Sequence, residues 1–304
     1  MTDVRDHTRD ETGIRTRSRG PERSHWRLAW LQIRRNRLAM FGAFIVFGAI
    51  FTALLSPILA PTDPTKQIMS VRLAAPSLDH LLGTDAFGRD VLSRLMYGSR
   101  TSLFVGSTTV LVALLIGVPL GLVSGFIGGR WDNVAMRVMD AFLSFPAIML
   151  ALALMGILGP DIQNVILALA VVYMPIFARL ARASTLSAKE EVYIKAARSA
   201  GVRTPKILFV HILPNIITPL VVQATYAFSS AIVAAATLSF LGLGVQPPTP
   251  DWGFDLSDGR RFVRHAPWLT LVPIVAISIT VLAINFLGDG LRDALDPRYR
   301  SKSK

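Results

Sequence analysis

Cysteine is absent from the 304 residues. Its absence removes disulfides, thiolate nucleophiles and thiolate metal sites together. Histidine is almost as scarce. The five residues at 7, 25, 80, 211 and 265 are scattered without the spacing a metal site needs. The glycine-rich stretch SGFIGGR at 124–130 lacks the Gly-Lys-Ser/Thr ending of a phosphate-binding loop. No Gly-x-Ser-x-Gly elbow occurs either. The expectation is a chain with no catalytic residue, no metal and no bound cofactor of its own.

Charge is missing from long stretches of the chain. Leu38–Ala60, Thr101–Gly129, Ala141–Pro160, Ile162–Ala178, Ile216–Pro250 and Ala266–Gly288 hold 23, 29, 20, 17, 35 and 23 residues without a Lys, Arg, His, Asp or Glu. A helix crosses the bilayer core with about 20 apolar residues, so six spans are available. The 52% hydrophobic content places the chain among integral membrane proteins. The first run is longer than the roughly 7–15 residues of a signal-peptide core, which favours a retained span.

Positive charge sets the orientation. With the N-terminus inside, the pieces 1–37, 128–140, 178–215 and 288–304 hold 24 of the 32 Lys and Arg residues. Acids divide 12 inside and 8 outside, so the outer side sums to zero and the inner side carries the whole net charge of +12. That asymmetry is the signature of cytoplasmic loops and argues against nucleic acid as the cause of the basic balance. The predicted fold is all-α integral membrane, with six transmembrane helices and both termini cytoplasmic.

The expected organisation begins with a disordered basic tail at 1–36 and a first transmembrane helix at 37–60. An extracytoplasmic segment at 61–100 follows, with an amphipathic helix over 84–98. A transmembrane domain fills 101–290, with spans near 101–127, 139–159, 162–180, 216–243 and 267–288 and a cytoplasmic loop at 183–215. A cytoplasmic tail at 291–304 ends the chain. In the 84–98 helix, Asp85/Arg89 and Asp90/Arg94 form acid-then-base pairs at i,i+4, worth a few tenths of a kcal/mol each if exposed. Pro247, Pro248 and Pro250 preclude a continuing helix and place Trp252 near the membrane interface.

Within the spans, small residues mark close packing. Gly117, Gly121 and Gly125 recur every four residues, as do Ala227, Ala231 and Ala235. They predict faces packed within the subunit or against a partner. No Lys, Arg, Asp or Glu sits mid-span, which disfavours an ion-coupled carrier. Gln223, Thr225, Thr237, Ser278 and Asn285 are mild polar groups at depth. They serve either interhelical hydrogen bonds or a translocation path.

The loop at 183–215 is longer than a connector requires. Ser187-Ala-Lys-Glu190 has the form of a capping box, predicting a helix from Ala188 to Ala200 that Gly201 ends. Thr204 and Pro205 would open a second short helix. The first helix offers Ala196, Ala197, Ala200 and Gly201 as a flat face for another protein. Resting on lipid is the competing use.

Ala196-Ala197-x3-Gly201, nine residues, then His211-Ile-Leu213-Pro214 resembles the cytoplasmic EAA loop of binding-protein-dependent ABC importer permeases. Lys195 stands where that family usually has Glu. HLLGTDAFGRDVLSRLMYGSRTSL (80–103), FLGLGVQPPTPDWG (240–253) and FLGDGLRDALDPR (286–298) look like the dipeptide/oligopeptide permease family, C-type subunit. The resemblance implies a type I importer fold in the bacterial cell membrane and a heterodimer with a homologous permease. It also implies an extracytoplasmic solute-binding protein and two cytoplasmic ATPases that bind ATP and Mg. It makes Lys195, Ala196, Ala197, Ala200, Gly201, Leu213 and Pro214 the ATPase-docking residues, and a peptide the substrate. Nickel chelates, glutathione or another small solute are alternatives, as is an ATP-independent channel or carrier.

Overall fold

The computed structural model describes residue 34 and residues 36–295. Residues 1–33, 35 and 296–304, which hold most of the expected N-terminal tail and the end of the C-terminal one, lie outside them. Nine helices carry the described fold. They are α1 (Arg37–Leu59), α2 (Val91–Ile127), α3 (Gly129–Leu143), α4 (Ala147–Leu158), α5 (Ile162–Ala188), α6 (Val192–Ser199), α7 (Thr204–Phe240), α8 (Trp252–Gly259) and α9 (Trp268–Leu295). Five of them, α1, α2, α5, α7 and α9, are long and apolar enough to cross a membrane.

Helix starts on the outer side are fixed by aspartates. The Asp90 carboxylate accepts from the Ser93 amide at 2.7 Å at the head of α2. Asp161 accepts from Gln163 at 2.7 Å for α5, and Asp251 from Phe254 at 2.9 Å for α8. Each satisfies an amide the helix cannot pair internally. At the inner end, Asn36 caps α1 through the Leu38 and Ala39 amides.

The core is built on α2 and α5. Gly117 and Gly125 lie where an added Cβ would come within 2.6 and 2.8 Å of the Met174 and Arg182 carbonyls; at Gly121 it would meet the Ala178 carbonyl still closer. Their periodicity lets two backbones run in contact over two turns. Gly121→Ala should therefore cost about 1–3 kcal/mol by overpacking, read as a fall in melting midpoint of the detergent-solubilised chain. Helix α7 packs on α2, α5 and α9, and buries Ala227, Ala231 and Ala235 in the same apolar cluster. Helix α1 lies outside, against α9 and α2.

The third expected span, 139–159, is broken rather than continuous. Residues 129–158 form two helices bent by 91° at Ser144-Phe145-Pro146. Pro146 drives Phe145 away from helical geometry, so the charge-free run divides into a last turn of α3 and a 12-residue α4.

The 84–98 helix is corrected. Residues 84–90 form a tight reversal in which Thr84 and Asp90 pair as a β-bridge and Gly88 has φ 70°. Asp85 and Arg89 meet inside that turn at 2.5 Å, and both are buried. Asp90 turns to His80 Nδ1 at 3.0 Å rather than to Arg94. Gly98 does not end the helix, because α2 continues to Ile127 and Gly98 receives the Trp252 ring. Trp252 itself is buried and donates to the Leu95 carbonyl at 3.0 Å, so it is a packing residue within the protein.

Candidate functional site

The hairpin between α5 and α7 begins later than the capping-box pattern predicts. Helix α5 runs through to Ala188, and Ser187 Oγ donates back to the Ala183 carbonyl at 3.4 Å. Glu190 pairs with Lys195 at 2.9 Å, which holds its carboxyl below the ordinary value, and α6 starts only at Val192. Gly201 takes φ 75°, and the Val202 amide reaches back to the Ala197 carbonyl at 3.1 Å, closing the helix. Thr204 is the first residue of α7 rather than its cap.

Wide π-type turns span Ile207–Ile212. Pro214 lacks the amide that an α-helical ladder would direct to Val210, and the widened turns absorb that gap. Ile207, Leu208 and Ile212 are thereby turned inward, while Phe209 and Val210 stay exposed.

One residue fixes α6 to this platform: Ile194, 1% exposed, sits in the main apolar cluster with Ile207, Leu208 and Ile212. At about 100° per residue the opposite face presents Val192, Ala196 and Ala200, with Tyr193 at its edge. All four are exposed, Val192 at 81%. Lys195, Gly201 and Pro214 are exposed, whereas Ala197 and Leu213 are half-buried. Val192 and Tyr193 are absent from the sequence-derived set because a repeat of alanines does not reveal where the helix begins. Tyr193 Oη accepts from Asn215 at 2.9 Å above a recess of about 470 Å³ that includes Ser184, Ala188 and Pro219.

The hairpin is braced from below. Lys189 Nζ donates to the Gly125 carbonyl at 3.0 Å, at the end of α2. Arg182 on α5 binds Asp132 on α3 through two bonds of 2.5 and 2.6 Å. The charge-assisted fork fixes orientation as well as distance.

A second feature is a cavity of about 530 Å³ between α4, α5, α7 and α9. Tyr173, Ser229, Ser230, Thr237 and Asn285 supply its polar groups, and Ser229 Oγ donates to Asn285 Oδ1 at 2.7 Å. Of the five polar residues singled out by depth, Thr237 and Asn285 reach this cavity. Thr225 bonds the Val222 carbonyl and packs on Gly288, Ser278 is exposed elsewhere, and Gln223 lies outside the lining. Tyr173 and the serine pair are outside that set, although their hydroxyls differ little in sequence from those of Thr237 and Ser278; they converge only through packing.

The outer end is a cap of buried charge. Arg94, 3% exposed, holds Asp255 through Nε at 2.9 Å and through Nη2, while Nη1 donates to the Pro64 and Pro248 carbonyls at 3.3 and 3.5 Å. Arg89 lies 4.0 Å from Asp258. Burial raises the Asp251 carboxyl to about 6, offset in part by the Phe254 amide. The folded chain therefore binds this proton more tightly than the unfolded one, whose carboxyl titrates near 3.9. Stability from this group is full below about pH 4 and is lost as pH rises to about 6. Asp251→Asn keeps the capping oxygen and should flatten that slope, read by melting midpoints across pH 4–7.

Among proteins of known sequence, the family model described as binding-protein-dependent transport system inner membrane component matches residues 117–301. The model for the N-terminal transmembrane domain of oligopeptide transport permease C matches 24–76. The chain is 47% identical to the dipeptide transport system permease protein DppC of Alkalihalophilus pseudofirmus, over 91% of each. It is 44% identical to the di/tripeptide transport system permease protein DppC of Pseudomonas aeruginosa, over 90% of this chain and 92% of the relative. Identity to the glutathione transport system permease protein GsiD of Escherichia coli is 43%, over 91% and 92%. In fold it is similar to a chain of the MetNI methionine ABC transporter in an inward-facing conformation. The TM-score is 0.54 at 21% identity, over 67% of this chain and 96% of that one. With five to six membrane-grade helices and these matches along most of its length, the chain belongs to the family of inner membrane components of binding-protein-dependent transport systems.

Proposed function

We propose that the chain is the C-type permease subunit of an ATP-driven peptide importer, working as a heterodimer with a homologous permease. Two cytoplasmic ATPases supply ATP and Mg chemistry, and an extracytoplasmic solute-binding protein delivers substrate. Transport is its role; hydrolysis belongs to the ATPases. The observation that carries this reading is the hairpin. A short helix with a free Val192–Ala196–Ala200 face is rooted in the transmembrane core by Ile194.

Such a lever couples the ATPase and the membrane path reciprocally. ATP can bias the permease only through contacts that differ between its two states. A groove on the ATPase that grips α6 and moves when the two ATPases close satisfies that condition. Closure draws the two permeases' hairpins together and opens the path outward, and hydrolysis resets it. The path is assigned to the cavity between α4, α5, α7 and α9. Its hydroxyl and amide groups suit a peptide backbone and impose no charge on the side chains carried through.

The test is uptake into vesicles holding both permeases, the ATPases and the binding protein. Labelled dipeptide should accumulate only with internal ATP and should stop with vanadate. Accumulation that persists without ATP and collapses with the proton gradient would identify an ion-coupled carrier instead. Glutathione transported in preference to dipeptide would move the substrate assignment while leaving the importer reading in place.

A further inference from the structure

Helix α3 divides its surface among three surroundings. At about 100° per residue, Asp132, Met136, Met139 and Leu143 share one side, and Asp132 and Met139 are buried against the protein. Arg130, Asn133, Arg137 and Asp140 share a second, fully exposed side. Trp131, Val134, Val138 and Ala141 share the third, and all four are exposed even though the face is apolar. The centres of the three faces lie about a third of a turn apart. A helix lying where protein, water and hydrocarbon meet needs that partition. A membrane-spanning helix or a soluble surface helix needs only two.

Charge on this helix points to one occupant. Both of its acids are engaged by α5, Asp132 by Arg182 and Asp140 by Arg179. Arg130 and Arg137 are left without a carboxylate partner among the described residues. Both stand at the border between the apolar and the water-facing sides, where long cationic side chains reach headgroups while their stems cover apolar surface. A shallow hollow of about 360 Å³ runs along Asn133, Val134, Arg137, Val138 and Ala141. Its surface is mostly apolar, with Asn133 and the Arg137 cation on the water-facing side. The helix lies at the cytoplasmic side by the distribution of Lys and Arg, where anionic lipid concentrates positive segments.

We infer that α3 is an interfacial helix that seats an anionic phospholipid, with Arg130 and Arg137 at the headgroup and Trp131, Val134 and Val138 against the acyl chains. The Arg182–Asp132 fork ties this seat to the end of α5 from which the hairpin departs.

The experiment places a benzophenone amino acid at Val138 of the full chain, in the assembled transporter. Irradiation in cells should yield an adduct with the mass of an intact phospholipid. A cross-link to a polypeptide, whether the second permease or an ATPase, would overturn the inference, as would the absence of any lipid adduct. The same complex is then reconstituted in phosphatidylcholine vesicles containing a minority of phosphatidylglycerol. The adduct should be enriched in phosphatidylglycerol about five- to thirtyfold over the bulk ratio, as expected for one or two cations near a charged surface. Arg130→Gln with Arg137→Gln should return it to the bulk ratio. Equal enrichment in wild type and variant would remove the arginines from the proposal. None of these readouts requires transport, so they stand apart from the test of the importer reading.

Discussion

Arg94→Met is expected to destabilise the folded chain by about 3–5 kcal/mol. The guanidinium joins the start of α2 to Asp255 on α8 and to the carbonyls of Pro64 and Pro248, on two separate loops. Methionine fills much of the space but leaves a mostly buried carboxylate and two carbonyls without their donors. Burial already pushes the Asp255 carboxyl upward, and the Arg94 cation is the main force opposing it. Without that cation the folded carboxyl holds its proton to higher pH, so the variant's deficit should be smaller at pH 5 than at pH 8. Adding Asp255→Leu removes the stranded acid and should recover at least half of the loss, because replacing both partners avoids the uncompensated charge. Thermal melting in detergent gives all three values. A double variant no more stable than Arg94→Met would show that the network is not held by this pair.

The same residue illustrates which parts of the molecule were legible beforehand. Charge-free runs mark α1, α2, α5, α7 and α9, because lipid excludes ions over a fixed length. That rule needs no knowledge of neighbours. The i,i+4 spacing of Asp85/Arg89 and Asp90/Arg94 suggests a helix only if the backbone is already helical. Here Gly88 reverses the chain: Asp85 and Arg89 still pair, but inside a turn, while the other two find partners the spacing does not name. Asp90 meets His80, and Arg94 meets Asp255, 161 positions away. Ala141–Pro160 satisfies the length rule for a span, and Pro146 inside it breaks the run into two helices, a bend that composition does not mark. The cavity groups Tyr173, Ser229 and Asn285 lie on three helices. Their convergence is a property of packing that no periodicity encodes.

Ala196→Glu should reduce uptake by at least about thirtyfold while leaving the chain at its normal level in the membrane. Ala196 is exposed on the free face of α6, between Val192 and Ala200, and its side chain touches no part of the core that holds the helix. Substitutions at such positions usually change stability by no more than about 0.5 kcal/mol, so folding is spared. On the docking reading the same face is desolvated against an ATPase groove. A carboxylate there meets the cost of burial without a partner, and central interface positions of this kind are worth about 2–4 kcal/mol. The loss should appear as failure of the ATPases to copurify as well as loss of transport. Lys195→Glu is the control. Lys195 is exposed at the side of the helix and paired with Glu190, so reversing its charge should leave both readouts within about threefold, the effect of a rim charge. Normal copurification and uptake with Ala196→Glu would mean that the ATPase grips the permease elsewhere. Loss with Lys195→Glu but not with Ala196→Glu would move the contact from the small-residue face to the charged edge.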